Sequence, residues 1–170
     1  MINVSELVPM SIKGLMLDPV SNSPIVVLKD DDEKFFLPIW VGIFEANAIA
    51  LQLENITTPR PMTHDLLRTL ISELDARVTR IVINDLKDAT FFAQIRLLIN
   101  RGNGDKMLEI DARPSDAIAL ALRTEAPIYV AQSVLEQAQT ISPEGEEQDE
   151  EKTKKWFENL SPEDLGKYKM

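Results

Sequence analysis

The stretch Asp111-Ala-Arg-Pro-Ser-Asp-Ala-Ile-Ala-Leu-Ala-Leu122 constrains this chain more than any other. Its polar start, with Asp111, Arg113, Ser115 and Asp116, runs straight into six residues that are only Ala, Ile or Leu. A helix apolar on every side is stable only when other elements cover it. The fold must therefore bury this helix and bring its polar first turn to an edge of the core. The first N–H groups of a helix lack partners, and that end carries partial positive charge. Ser115 reads as a cap and Asp116 as a dipole-matching acid. Arg113 is not needed for capping, and Pro114 forces it into extended geometry.

The covering elements are legible on both sides of this helix. Met10–Leu17 reads as a strand, and Pro24–Lys29 and Lys34–Trp40 read as a hairpin around the acidic turn Asp30–Glu33. Gly42–Glu54 is Ala- and Leu-rich and apolar nearly all round, which predicts a second buried helix. Thr63–Leu74 sets Leu66, Leu67, Leu70, Ile71 and Leu74 on one face against Arg68, Thr69, Ser72 and Glu73, an amphipathic helix. Ala76–Asn84 is β-branched. Ala89–Asn100 alternates, with Phe91, Ala93, Ile95, Leu97 and Ile99 on one side. Lys106–Asp111, Ile128–Val130 and a short helix over Ser133–Gln139 complete the pattern. Strands and helices come in blocks, so the expected fold is α+β. We expect a mixed β-sheet of about six to seven strands with two or three buried or amphipathic helices packed on it.

Composition shifts near Ile141. Residues 144–151 hold six acids in eight positions, a solvated linker. The expected organisation is one domain over 1–139, an acidic linker over 140–151 and a short C-terminal helical extension over 152–170. Trp156, Phe157 and Leu160 in that extension are expected to dock on the body or on a neighbouring subunit.

A second Arg-Pro helix start is Pro59-Arg60-Pro61-Met62-Thr63-His64-Asp65. Thr63 matches Ser115 as a cap, Asp65 matches Asp116, and Arg60 matches Arg113. An Arg fork beside a helix N-terminus grips phosphate or carboxylate. The plainer alternative pairs Arg113 with Asp111 or Asp116 to hold a loop. His64 is the only histidine, expected to be accessible at a helix start. The positive helix end favours its neutral form, which suits a general base or metal ligand. Glu45, in the first turn of the apolar Gly42–Glu54 helix, is a dipole-compensating acid or a partly buried acid–base group. Asp85 and Asp88 read as plain turn residues. Glu45, Asp65, Asp111 and Asp116 together offer oxygen ligands for Mg²⁺ or Mn²⁺, although no spacing is diagnostic. No organic cofactor motif is present: there is no phosphate-loop glycine pattern, GxSxG or HExxH.

The net charge is −10. Nine acids against five bases in residues 140–170 leave 19 acids against 13 bases, net −6, in residues 1–139. Generic nucleic-acid affinity comes largely from Lys and Arg on phosphates, so any such role needs a local basic site or bound cations. No apolar run approaches a membrane span and no signal peptide opens the chain, so no membrane partner is expected. With no Cys, neither disulfide nor thiolate zinc site can form. This pattern reads as cytoplasmic.

Leu37-Pro-Ile-Trp-Val-Gly42 with Glu45-Ala46, Pro59-Arg-Pro-Met-Thr-His-Asp65, Ala89-Thr-Phe-Phe-Ala93 and Asp111-Ala-Arg-Pro-Ser-Asp-Ala-Ile-Ala-Leu120 follow one another in that order. Together they resemble the bifunctional nuclease (BFN) domain family, over roughly Val8 to Gln139. The RP-x-TH-D and D-x-RPSDA-x-ALA segments carry most of the resemblance. The C-terminal segment from Trp156 to Met170 is similar to tails of some bacterial members. The resemblance implies an α+β domain, often self-associating, with nuclease activity on DNA and RNA in some members. Its motif positions fall on Glu45, Arg60, Thr63, His64, Asp65, Asp111, Arg113, Ser115 and Asp116.

The leading expectation is a phosphodiesterase acting on nucleic acid with little sequence preference, as a homo-oligomer (dimer or higher). Arg60 and Arg113, with Thr63 and Ser115, would bind substrate. His64 would act as base or metal ligand. Glu45, Asp65, Asp111 and Asp116 would hold a divalent cation or orient the arginines. Two alternatives remain open: a non-catalytic oligomeric domain in which these residues form a salt-bridged lattice, and a regulatory domain binding a small phosphorylated metabolite.

Overall fold

The computed structural model describes residues 6–140. Apart from Thr140, the expected linker and C-terminal extension lie outside these residues. The elements in chain order are β1 (Leu7–Leu17), β2 (Pro24–Asp30), β3 (Phe36–Trp40), α1 (Ile43–Leu53), α2 (Thr63–Glu73), β4 (Ala76–Lys87), β5 (Thr90–Arg101), β6 (Gly104–Ala112), α3 (Pro114–Thr124), β7 (Ile128–Ala131) and α4 (Gln132–Thr140). The fold is α+β: one mixed seven-stranded sheet with four helices packed on it.

The sheet order is β3-β2-β1-β7-β4-β5-β6. β1–β3 and β4–β6 are two antiparallel meanders. β7 joins them, antiparallel to β1 through Leu7↔Ala131 and parallel to β4 through Ile81↔Ile128. Alternation divides each strand between two faces. In β2, Val26 and Leu28 enter the main core, while Ile25 and Val27 join Met16 in a small second cluster. The main core is continuous with α1, α3 and α4 through Ala46, Ala48 and Ile49, through residues 117–121, and through Val134 and Leu135.

α3 is buried along nearly its whole length, as its composition demands. Its buried alanines, Ala117, Ala119 and Ala121, share the main core with Ala46 and Ala48 of α1. A guanidinium nitrogen of Arg123 on α3 donates 3.0 Å to the Ala48 carbonyl of α1. α1 departs from expectation in its first turn, where Ile43 and Phe44 are exposed. α2 departs further. Its buried residue is His64, and Leu66, Leu67, Leu70 and Leu74 lie exposed. The amphipathic helix exists, but its apolar face is turned outward.

β4 runs to Lys87, beyond the expected end at Asn84. Asp85 therefore lies within the strand, where the register shifts between Ile83 and Asp85. The hairpin to β5 turns on Asp88 and Ala89 alone, both with positive φ (48° and 57°). Among the described residues, no helix is long and apolar enough to cross a membrane.

Candidate functional site

The first turns of α1, α2 and α3 meet. Each carries its acid at the same place, the third helical residue: Glu45, Asp65 and Asp116. There a carboxylate lies against the positive end of the helix dipole. The two Arg-Pro starts reach this position differently. Pro114 is the first residue of α3, so Arg113 is its cap residue, in extended conformation (φ −70°, ψ 144°). Pro61 precedes the α2 cap residue, Met62, so Arg60 lies two residues before the cap position that Arg113 occupies in α3.

This two-residue offset separates the two arginines. Arg113 Nε donates to Asp116 Oδ2 at 2.9 Å, and its Nη2 lies 2.8 Å from Glu45 Oε1 and 2.9 Å from Asp116 Oδ2. His64 Nε2 lies 3.0 Å from the other oxygen of the same carboxylate, Asp116 Oδ1. The result is a continuous chain, Glu45–Arg113–Asp116–His64, drawn from three helices. Arg60 is exposed and stands outside it.

Burial is graded along this chain. The Arg113 side chain is 65% exposed, Asp116 32%, Glu45 18% and His64 9%. His64, expected to be accessible, is buried because the first turn of α2 packs on that of α3. Burial raises the Asp116 pKa most strongly, but the hydrogen bonds from His64 and Arg113, with their charges, outweigh it and hold the carboxyl below its ordinary 3.8. An ionised carboxylate only accepts hydrogen bonds, so Nε2 of His64 donates. In a neutral imidazole that leaves Nδ1 as the basic nitrogen. Asp116 and Glu45 in turn raise the pKa of Arg113.

A second network lies beneath the first. Arg123, with its side chain only 3% exposed, donates from Nε to Asp65 Oδ1 at 2.7 Å. Its Nη1 donates to Ala119 O at 2.9 Å, and its Nη2 reaches Ala48 O. Asp65 Oδ2 accepts the Met62 N–H at 2.8 Å, closing the start of α2. Burial opposes ionisation of Asp65, but that N–H and Arg123 together keep its pKa below 3.8. This network fixes α2 against α1 and α3 one residue from His64.

Thr63 and Ser115 do not cap. Thr63 is the first residue of α2 and exposed; Ser115 is the second of α3 and buried. The helices start one or two residues earlier than the capping pattern implied, because Arg113 and Met62 supply the extended cap conformation. Asp111 is also apart. It pairs in register with Gln94 of β5 and shares a strand face with Glu109, which bonds Arg96 across the sheet. Among the described residues, no group of three His, Asp or Glu side chains gathers as a cation site. Glu45, Asp65 and Asp116 are each engaged by an arginine instead.

Sequence reasoning missed Arg123 and Gly42. Arg123 follows Asp116 by seven residues, two helical turns along the same face of an otherwise apolar helix, and that spacing was the available signal. Gly42 caps α1, and a Cβ there would overlap the Glu45 carboxylate that folds back over it.

The sequence has relatives among known proteins. A model of the bifunctional nuclease domain matches residues 26–143. A protein of Mycobacterium tuberculosis, uncharacterized protein Rv1829, is 37% identical over 163 residues, covering 89% of this chain and 94% of the relative. Bifunctional nuclease 1 of Arabidopsis thaliana is 29% identical over 119 residues, 69% of this chain but 36% of the plant protein. Bifunctional nuclease 1 of Oryza sativa subsp. indica is 26% identical over 113 residues, 66% of this chain and 34% of the relative. With the family match spanning most of the chain and a mycobacterial relative aligned over nearly all of it, this protein is a bacterial member of the bifunctional nuclease domain family.

Proposed function

We propose that the protein is a nuclease that hydrolyses phosphodiester bonds of DNA and RNA with little sequence preference. The observation that carries this reading is the chain Glu45–Arg113–Asp116–His64 at the junction of three helix N-termini. Arg113 holds two carboxylates through Nε and Nη2 while most of its side chain faces solvent, so an incoming phosphate meets a guanidinium that is already oriented. Three helix ends add partial positive charge at the same place. Asp116 fixes the His64 tautomer, and Nδ1 takes a proton from water as the water oxygen bonds to phosphorus. The leaving alkoxide departs and is protonated by solvent. Water as nucleophile serves DNA and RNA alike. Arg60, exposed beside the start of α2, contacts a neighbouring phosphate. The protein acts as a homo-oligomer in the cytoplasm.

A second reading, a non-catalytic oligomeric or anion-binding domain, is favoured by one specific observation: Glu45, Asp65 and Asp116 all have arginine partners already. One experiment separates the two. Pure protein is incubated with single- and double-stranded DNA and RNA in EDTA, Mg²⁺ or Mn²⁺, beside Arg113→Ala prepared identically. Under the nuclease reading the wild type cleaves, and the folded variant loses roughly a hundredfold, as when one preorganised transition-state contact is removed. Equal cleavage by both places the activity elsewhere or in a contaminant. No cleavage by either, in any of the three conditions, favours the second reading. The EDTA arm decides whether a cation is required.

A further inference from the structure

α2 is attached to the body through its polar side. His64 and Asp65 face α3, Ile71 is half-buried, and the remaining positions from Leu66 to Glu73 are exposed. Leu66, Leu67, Leu70 and Leu74 are 52%, 39%, 50% and 71% exposed, and Met62 at the cap is 38% exposed. A surface helix of a monomer normally turns its apolar stripe to the core. Here two networks, one through the part-buried Asp116 and one through the buried Arg123, hold the helix in the opposite orientation.

We propose that this leucine face is a two-fold interface with a second copy of the chain. Three features select that occupant. The first is spacing. Leu67, Leu70 and Leu74 recur at i, i+3 and i+7, the seam of a coiled coil, and Leu66, Leu70 and Leu74 form an i±4 ridge. The second is symmetry. Leu66 and Leu74 lie four residues either side of Leu70, so an antiparallel copy sets Leu70 against Leu70 and Leu66 against Leu74. A self-complementary patch is what a closed two-fold dimer requires. The third is area. The four leucines with Met62 expose roughly 400 Å² of apolar surface, at the scale of the largest patch on a typical monomer. A stable dimer buries about 800 Å² per partner, somewhat more than half of it apolar. The stripe supplies that apolar share, and the polar flanks of α2 supply a rim. The interface does not depend on the chain being a nuclease.

The test uses the full chain. Sedimentation of the wild type gives twice the 19.2 kDa chain mass. The double variant Leu67→Gln, Leu70→Gln keeps its circular dichroism, because both side chains are already exposed. Its dissociation constant rises by roughly a hundredfold or more. The chain has no cysteine, so Leu70→Cys adds a single thiol, and mild oxidation links two copies near the axis. Val20→Cys, 94% exposed in the β1–β2 turn, stays unlinked under the same conditions. A monomeric wild type at about 100 μM, a double variant that remains dimeric, or Val20→Cys linking as readily as Leu70→Cys overturns the proposal. So does a Leu70→Cys variant that is monomeric and resists thiol reagents, since another part of the same chain then covers the stripe.

Discussion

Arg123 decides where His64 can be. Its guanidinium joins α3 to α1 through a carbonyl and to α2 through Asp65, with almost no exposure to water. Replacing it by Met removes the fork and leaves the Asp65 carboxylate and the Ala48 carbonyl short of a partner. Breaking a buried, hydrogen-bonded ion pair from one side costs on the order of 3 kcal/mol. Arg123→Met should therefore unfold at clearly lower urea concentration. Arg123→Lys should recover little of the loss, because the three acceptors lie around three separate guanidinium nitrogens and a single ammonium nitrogen cannot reach all of them. The acids of the two networks give a second expectation. Folding lowers the pKa of both Asp65 and Asp116 below 3.8. A carboxyl shifted downward stabilises the fold fully above its unfolded value. That contribution fades as pH falls through 3.8 and is lost once the folded-state carboxyl is protonated. Urea midpoints recorded from neutral to acid pH should show this fall for the wild type, and a shallower one for Asp116→Asn. An equal acid dependence in the variant would mean that other groups carry it.

At the scale of elements, the sequence located every strand and helix of the described residues but not how each is turned or where each begins. α2 is the clearest case. Its leucine stripe was legible at helical spacing, yet the stripe's direction is set by His64 and Asp65 binding Asp116 and Arg123, more than fifty residues away. Local periodicity has no access to that. The helix starts were misjudged because Ser115 and Thr63 look like caps, while extended Arg113 and Met62 occupy the cap positions. The acids, by contrast, were selected correctly as first-turn residues because the dipole argument is local. Gly42 gives an element-level prediction. Its φ of −69° accommodates alanine, but the added Cβ overlaps the Glu45 carboxylate. Gly42→Ala should change stability by less than about 1 kcal/mol. It should also lower any Arg113-dependent cleavage or phosphate binding to the level of Glu45→Gln. The β4–β5 turn gives another. Ala89 holds a left-handed conformation that costs a side chain about 1 kcal/mol or more, whereas glycine adopts it freely. Ala89→Gly should raise stability by up to about 1 kcal/mol in urea unfolding, and a fall would show that the turn tolerates its alanine without strain.

For the whole molecule, charge and topology have separate consequences. In a chain of net −10, any affinity for a polyanion has to rest on a local group of cations. If Arg60 and Arg113 make the phosphate contacts, the logarithm of the binding constant should fall against the logarithm of salt with a slope no steeper than about −2. A much steeper slope, measured by fluorescence titration of single-stranded DNA, would reveal a basic surface that these two arginines do not account for. Topology acts earlier in the life of the chain. β7 is the last strand of the sheet in sequence and lies near its middle, so Leu7 waits for Ala131. During synthesis the ribosome releases two meanders that cannot yet join. β1 and β4 each present an open edge until Ile128–Ala131 arrives, and unpaired edges invite pairing with other nascent chains. Closure is therefore late and couples both halves in one step, so interrupted synthesis before Ile128 leaves one chain with two unjoined, open-edged meanders rather than a smaller closed domain.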